Sequence, residues 1–174
     1  MTALSISVTV ASDADAAELA TLRTAVAEQL TRQYGAGHWS SPVTDKGVLT
    51  SIKTSRVLVA RADDDAIVAT LRLATKKPWA IDKAYFADVT TPLYLTDMAV
   101  APHMQRQGVG RRLLDEARLV AAAWPAAAIR LDAYNSAAGA GPFYAKCGYR
   151  EVGRVTYRGV PLIYFELLLR NPEP

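Results

Sequence analysis

Apolar and polar positions alternate over residues 4–10, where Leu4, Ile6, Val8 and Val10 are separated by smaller or polar side chains, the period of a half-buried strand. Ser12 or Asp13 can then cap a helix. In that helix Leu19, Leu22, Val26 and Leu30 recur at spacings of three and four, an apolar stripe that faces a core. Residues 34–42, YGAGHWSSP, read as a loop. A second helix is expected near 45–53, followed by strands at 56–61 and 66–74 joined through Asp63, Asp64 and Asp65. Three short acidic side chains suit a solvated turn, because each can bond to its own backbone.

Residues 75–92 have no period and contain two prolines and Trp79, so a long loop is expected. A strand, LYLTDMAV, occupies 93–100. Val109, Leu113, Leu114, Ala117 and Val120 share one face of a helix over 108–123, with Pro125 beyond its end. Ile129, Leu131 and Ala133 alternate with Arg130, Asp132 and Tyr134 in the next strand. A short helix at 142–147 stops at Gly148, and strands at 149–157 and 161–169 follow. The order β, α(α), β, β, β, α, β, α, β, β is an α/β plan in one domain over 1–170, with NPEP, 171–174, as a tail.

Composition narrows the picture only a little. The chain has 174 residues, enough for one domain that buries roughly 70% of its unfolded surface. Hydrophobic residues make up 51% and charged residues 21%, too apolar for disorder. Twenty basic against 17 acidic residues are spread without a block, so no nucleic-acid partner is expected. The start, MTALSISVTV, lacks the charged lead and apolar core of a secretory signal, and no run approaches the ~20 apolar residues of a membrane span. A lone Cys147 and two histidines, His38 and His103, show no zinc spacing. A cytoplasmic, metal-free protein without a membrane partner is the expectation. The apolar last strand, LIYFELLL, suits pairing across a homodimer as well as packing inside a monomer.

The candidate chemistry lies where strand 93–100 ends, Pro102 follows, and two glycines open a helix. Gly108 and Gly110 allow φ > 0 and close backbone approach, so several N–H groups can converge on an anion where the helix dipole is favourable. A Walker loop is excluded, since Arg111 and Arg112 stand where Lys and Ser or Thr are needed. A dinucleotide fingerprint is excluded by Leu113 in place of its third glycine.

Gln105, Arg106, Gln107, Gly108, Val109 and Gly110, preceded by Ala-Val-x-Pro, resemble the acetyl-CoA motif Gln/Arg-x-x-Gly-x-Gly/Ala of GCN5-related N-acetyltransferases (GNAT). A second segment, PFYAKCGYREVG at 142–153, resembles the family's Phe-Tyr-x-Lys-x-Gly-Phe, with Tyr149 in the final aromatic position. The resemblance implies a mixed, mainly antiparallel central sheet flanked by helices. It also implies acetyl transfer from acetyl-CoA to an amine of a small molecule or protein, by direct attack in a ternary complex. A noncatalytic acyl-CoA-binding or regulatory domain on the same fold is the alternative.

Carried over to this chain, the resemblance gives the amides of 105–110 to the coenzyme diphosphate, and the main chain of Met98, Ala99 and Val100 to the pantetheine arm. Arg111 either adds charge there or is an exposed helix residue. A backbone N–H near Met98 would polarise the thioester carbonyl. Tyr144 stands where the family has the acid for the departing thiolate, or else packs under the coenzyme without giving a proton. Asp97, inside an otherwise apolar strand, is the candidate base or amine anchor, or a structural carboxylate. Asp132 and Asn135 are second candidates, although Asn135 precedes Tyr144 by nine residues where relatives have about seven. Cys147 lacks a neighbouring His for covalent transfer and reads as packing. Trp39, Trp79 and Asp82, in the two loops, are candidates for acceptor binding, or else the aromatics only pack the loops.

Overall fold

The computed structural model describes residues 3–169, so the tail at 171–174 lies outside the described residues. Eleven main elements keep the order read from the sequence. They are β1 (Ser7–Val10), α1 (Ala16–Tyr34), α2 (Asp45–Thr54), β2 (Arg56–Arg61), β3 (Ile67–Ala74), β4 (Pro92–Val100), α3 (Val109–Ala123), β5 (Ala128–Tyr134), α4 (Gly141–Lys146), β6 (Arg150–Tyr157) and β7 (Val160–Leu168). The strands form a seven-stranded sheet in the order β1-β2-β3-β4-β5-β7-β6. Pairing is antiparallel from β1 to β3 and through β5, β7 and β6, whereas β4 and β5 run parallel.

The chain divides into two compact units. The first comprises Met1–Leu73 with Asp97–Glu116. Here β2 and β3 read as continuous apolar runs because both faces are covered: Leu58, Val59, Ala60, Ala69 and Leu71 are buried. Full burial of a Leu or Val contributes about 2 kcal/mol each. Helix α1 brings Leu19 and Leu22 inward as the stripe predicts. Thr44 caps α2 through its Oγ1, which accepts from Gly47 N–H at 3.1 Å. Over residues 4–10 the alternation holds at Ile6 and Val8, which are half-buried, and fails at Leu4 and Val10, which are 46% and 56% exposed. As the terminal strand in the order, β1 has only β2 beside it.

The second unit comprises Ala74–Thr96 with Ala117–Pro174. Pro92, Leu93 and Tyr94 of β4 pair with Ala128, Ile129 and Arg130 of β5. β7 is paired on both sides, by β5 and β6, so the apolar LIYFELLL segment is an internal strand without an open edge.

Residues 75–91 lack a period because long-range contacts hold them rather than a repeating pattern. Ile81 and Phe86 pack with Tyr94 and Tyr164 in one buried cluster. Arg130 and Glu166, with side chains 4% and 1% exposed, pair at 3.0 Å beneath this segment. Arg130 donates to the Ala87 carbonyl at 2.6 Å, and Glu166 accepts from the Ala87 N–H at 3.1 Å. The Tyr164 hydroxyl donates to the Ala80 carbonyl and accepts from Asp82 N–H at 3.1 Å. A buried ion pair is stable only when its remaining polar positions are filled, and Ala87 fills them.

Candidate active site

Residues 101–110 are built as a strand end, a short 3-10 turn at Pro102–Met104, and a turn into α3. Gln105 is extended at φ −68°, ψ 154°, while Arg106 and Gly108 both take positive φ, at 61° and 83°. Interleaving left-handed residues with others turns successive N–H groups toward one concavity, the geometry of an anion nest. Gly110 is helical, the second residue of α3, so the left-handed positions are Arg106 and Gly108 rather than the two glycines expected. Holding Arg106 left-handed costs of order 1–3 kcal/mol. The first backbone bond of the turn into α3 runs from Arg112 N–H to the Gly108 carbonyl at 3.0 Å. Amides of the first helical turn, Val109 and Gly110 among them, therefore have no acceptor within the helix.

These residues fit a diphosphate: a nest of N–H groups, a helix N-terminus, and basic side chains close by. Arg111 is exposed, and Arg112 leans along the helix to Glu116 at 3.8 Å. The turn is braced from α1. The Gln105 amide donates to the Val100 carbonyl at 3.0 Å and to Gln29 Oε1 at 2.9 Å, and the Gln29 amide donates back to Gln105 at 3.2 Å.

Helix α1 makes a second polar contact, on β4. Asp97 has φ 56°, a left-handed residue within the strand. The Asp97 side chain is 33% exposed and pairs with Arg23 at 3.0 Å. Met98 and Val100 are half-buried and Ala99 is buried, on the stretch after this irregularity. Arg23 and Gln29 were missed in the sequence because they flank the 19, 22, 26, 30 stripe of α1, one on each edge, where polar residues are ordinary.

In the second unit Tyr144 lies on α4, buried, with its ring 6.0 Å from Phe165 and 5.8 Å from Tyr149. Burial pushes its phenol well above the ordinary range, with the nearby Asp132 carboxylate and the Cys147 thiol adding to the rise. The group therefore remains a proton donor at every physiological pH. Asp132 stands opposite Tyr164 in the β5–β7 register and two residues before Tyr134 on the same face. Burial raises its pKa above the ordinary carboxylate value, partly offset by its own backbone N–H. Asn135 is exposed, with its N–H donated to the Pro161 carbonyl at 2.9 Å.

The loop candidates for acceptor binding have other surroundings. Trp79 is 83% exposed, and Asp82 caps the short turn at Lys83–Tyr85 by accepting from Ala84 N–H at 2.9 Å. Trp39 is half-buried and donates its indole N–H to the Gly35 carbonyl at 3.0 Å. Cys147 is half-buried at the end of α4. Among the described residues no group of His, Cys, Asp and Glu side chains could hold a metal, and no helix is long and apolar enough to cross a membrane.

The acetyltransferase (GNAT) domain family matches residues 53–151, a span that contains β4, the turn, α3 and Tyr144. No curated protein matches the sequence. Solved structures of similar fold include an N-acetyltransferase from Staphylococcus aureus Mu50, at TM-score 0.71 and 13% identity over 95% of this chain and 99% of that one. A protein from Salmonella typhimurium, solved with its cofactor acetyl-CoA, gives TM-score 0.71 at 16% identity, covering 97% of this chain and 96% of its own. The PaiA N-acetyltransferase from Thermoplasma acidophilum, in complex with coenzyme A, gives 0.71 at 15% identity, covering 92% and 98%. With the family match spanning more than half of the chain and the nest and helix N-terminus in place, this protein belongs to the GNAT acetyltransferase family.

Proposed function

We propose that the chain, acting as one catalytic domain over residues 1–170, transfers the acetyl group of acetyl-CoA to the nitrogen of an amine by direct attack in a ternary complex. The observation that carries this reading is the turn at 105–110, where two left-handed residues precede a helix N-terminus, an arrangement that suits a diphosphate. The amides of Gln105, Arg106, Gln107, Gly108, Val109 and Gly110 hold the diphosphate, with Arg111 adding charge. The main chain of Met98, Ala99 and Val100 takes the pantetheine arm, and Asn135 is a further coenzyme contact.

In the reaction the amine nitrogen bonds to the acetyl carbon, the carbon–sulfur bond breaks, and coenzyme A leaves as a thiol. An alkyl amine of pKa ~10 arrives as an ammonium ion and must lose a proton before it can attack. Asp97 holds that ammonium and receives its proton for release to water, while the Met98 N–H stabilises the developing oxyanion. Tyr144 donates a hydrogen bond to the departing sulfur. A thiol ionises near ~8.5, below the raised phenol, so the proton stays mostly on Tyr144 and the thiolate takes its final proton from the amine by way of water.

Release of free thiol from acetyl-CoA on addition of amines tests this directly. Tight coenzyme binding with no thiol release across a broad amine panel would leave a noncatalytic acyl-CoA-binding domain instead.

A further inference from the structure

Within the first unit, α1, α2, β3 and β4 enclose a crevice whose walls are apolar at Leu19, Val48 and Leu71 and charged at Arg23, Arg72 and Asp97. Two guanidinium groups and one carboxylate share it. Arg23 is paired with Asp97 at 3.0 Å. Arg72 is half-buried, its Nε donates to Ser55 Oγ at 2.6 Å, and no acidic side chain pairs with it among the described residues. Its terminal guanidinium nitrogens make no hydrogen bond to the protein among the described residues, so an anion can bind there in place of solvent. With Nε occupied, the two terminal nitrogens still present a planar fork that matches a carboxylate.

We propose that this crevice selects an acceptor that carries a carboxylate within a few bonds of its amine, an amino-acid-type substrate, with the carboxylate on Arg72 and the ammonium on Asp97. The inference rests on the amine-acetylating reading above and adds the substrate class. The charge count favours a monoanion, because Asp97 would repel the second charge of a phosphate. The crevice holds about 10 Å³, the room of a single water, so the ligand meets Arg72 and Asp97 at its mouth and does not enter it. Asp97 immediately precedes Met98, so an ammonium held there lies beside the N–H assigned to the oxyanion.

The test uses the standard amino acids, their carboxamides and their decarboxylated amines, each assayed for thiol release at saturating acetyl-CoA. The carboxylates should be preferred at least about tenfold in kcat/KM, since a site built to bond a polar group rejects analogues that lack it. Arg72→Gln should erase the preference by raising KM for the carboxylates, with coenzyme affinity and turnover of the carboxamides unchanged, and Arg72→Lys should restore part of it. Equal or better use of carboxamides, or equal losses on both series in Arg72→Gln, would overturn the proposal while leaving acetyl transfer intact. Calorimetry with N-acetylated amino acids and their carboxamides, in the presence of coenzyme A, reads the same preference without turnover. Carboxylate-dependent binding lost in Arg72→Gln upholds the substrate class even if no thiol is released, and its absence across the panel rejects it.

Discussion

Arg23 on α1 donates to Asp97 on β4 at 3.0 Å, and Asp97 has a φ of 56° in the middle of an otherwise extended strand. Left-handed backbone costs an L-residue roughly 1–2 kcal/mol, least for Asp and Asn, whose short polar side chains bond locally. The ion pair offsets part of that.

Two substitutions at this position separate charge from backbone conformation. Asp97→Asn keeps the left-handed tolerance and removes the charge, so kcat/KM should fall about 10²-fold with coenzyme A affinity unchanged. Asp97→Ala loses both and should in addition lower stability by about 1 kcal/mol. Steady-state kinetics beside calorimetry checks this, and an Asn variant with full activity would remove Asp97 from proton transfer.

At Gly108 the requirement is conformational rather than steric. Its φ is 83°, and a Cβ added there meets no atom within 4 Å. Gly108→Ala should therefore fold normally while strain of roughly 1–2 kcal/mol distorts the turn. Coenzyme A affinity should drop about tenfold, because 1.4 kcal/mol is a factor of ten.

Much of this was legible in the sequence, and its failures have physical causes. The element order could be read because apolar periods change between strands and helices, and Gly108 with Gln105 marked the turn into α3. Left-handed Arg106 could not be foreseen, since nothing in an arginine announces positive φ. The left-handed backbone of Asp97 was hidden for the same reason. Residues 75–91 looked unstructured because Arg130, Glu166 and Tyr164, at least 40 positions away, hold them through backbone atoms that carry no sequence pattern. Arg72 lay in an apolar strand and gave no sign that it would lack a carboxylate partner.

Tyr144→Phe removes the hydroxyl from a buried ring and keeps the packing with Phe165 and Tyr149. Turnover should fall about 10²-fold with unchanged coenzyme affinity. Since burial raises the phenol pKa, the wild-type rate should show no alkaline limb from this group below pH ~10. A limb between pH 8 and 9 that vanishes in Tyr144→Phe would contradict that role.

Asp132 gives a pH signature in stability. Burial raises its folded pKa, so its favourable contribution is complete below the unfolded value and is lost as pH rises through the folded one. Asp132→Asn should melt at a higher temperature than the wild type near pH 7.5, with the gap closing as pH falls to the ordinary carboxylate range. Thermal melts across pH 3 to 8 decide it, and a gap that widens in acid would refute the sign.

Glu166→Gln leaves Arg130 charged and buried without its partner, which typically costs about 3–5 kcal/mol. Amide exchange at Ala87 should accelerate, because Glu166 accepts that N–H at 3.1 Å. Replacing both members, Arg130→Met with Glu166→Leu, should recover most of the lost stability, whereas recovery of slow exchange at Ala87 is not expected.

The most direct measurement is titration of the protein with coenzyme A by calorimetry, with amide exchange followed at residues 105–110. Saturable heat together with slowed exchange at Val109 and Gly110 is the expected result. Absence of heat, or binding that leaves those two amides unprotected, would contradict a diphosphate seat at the start of α3.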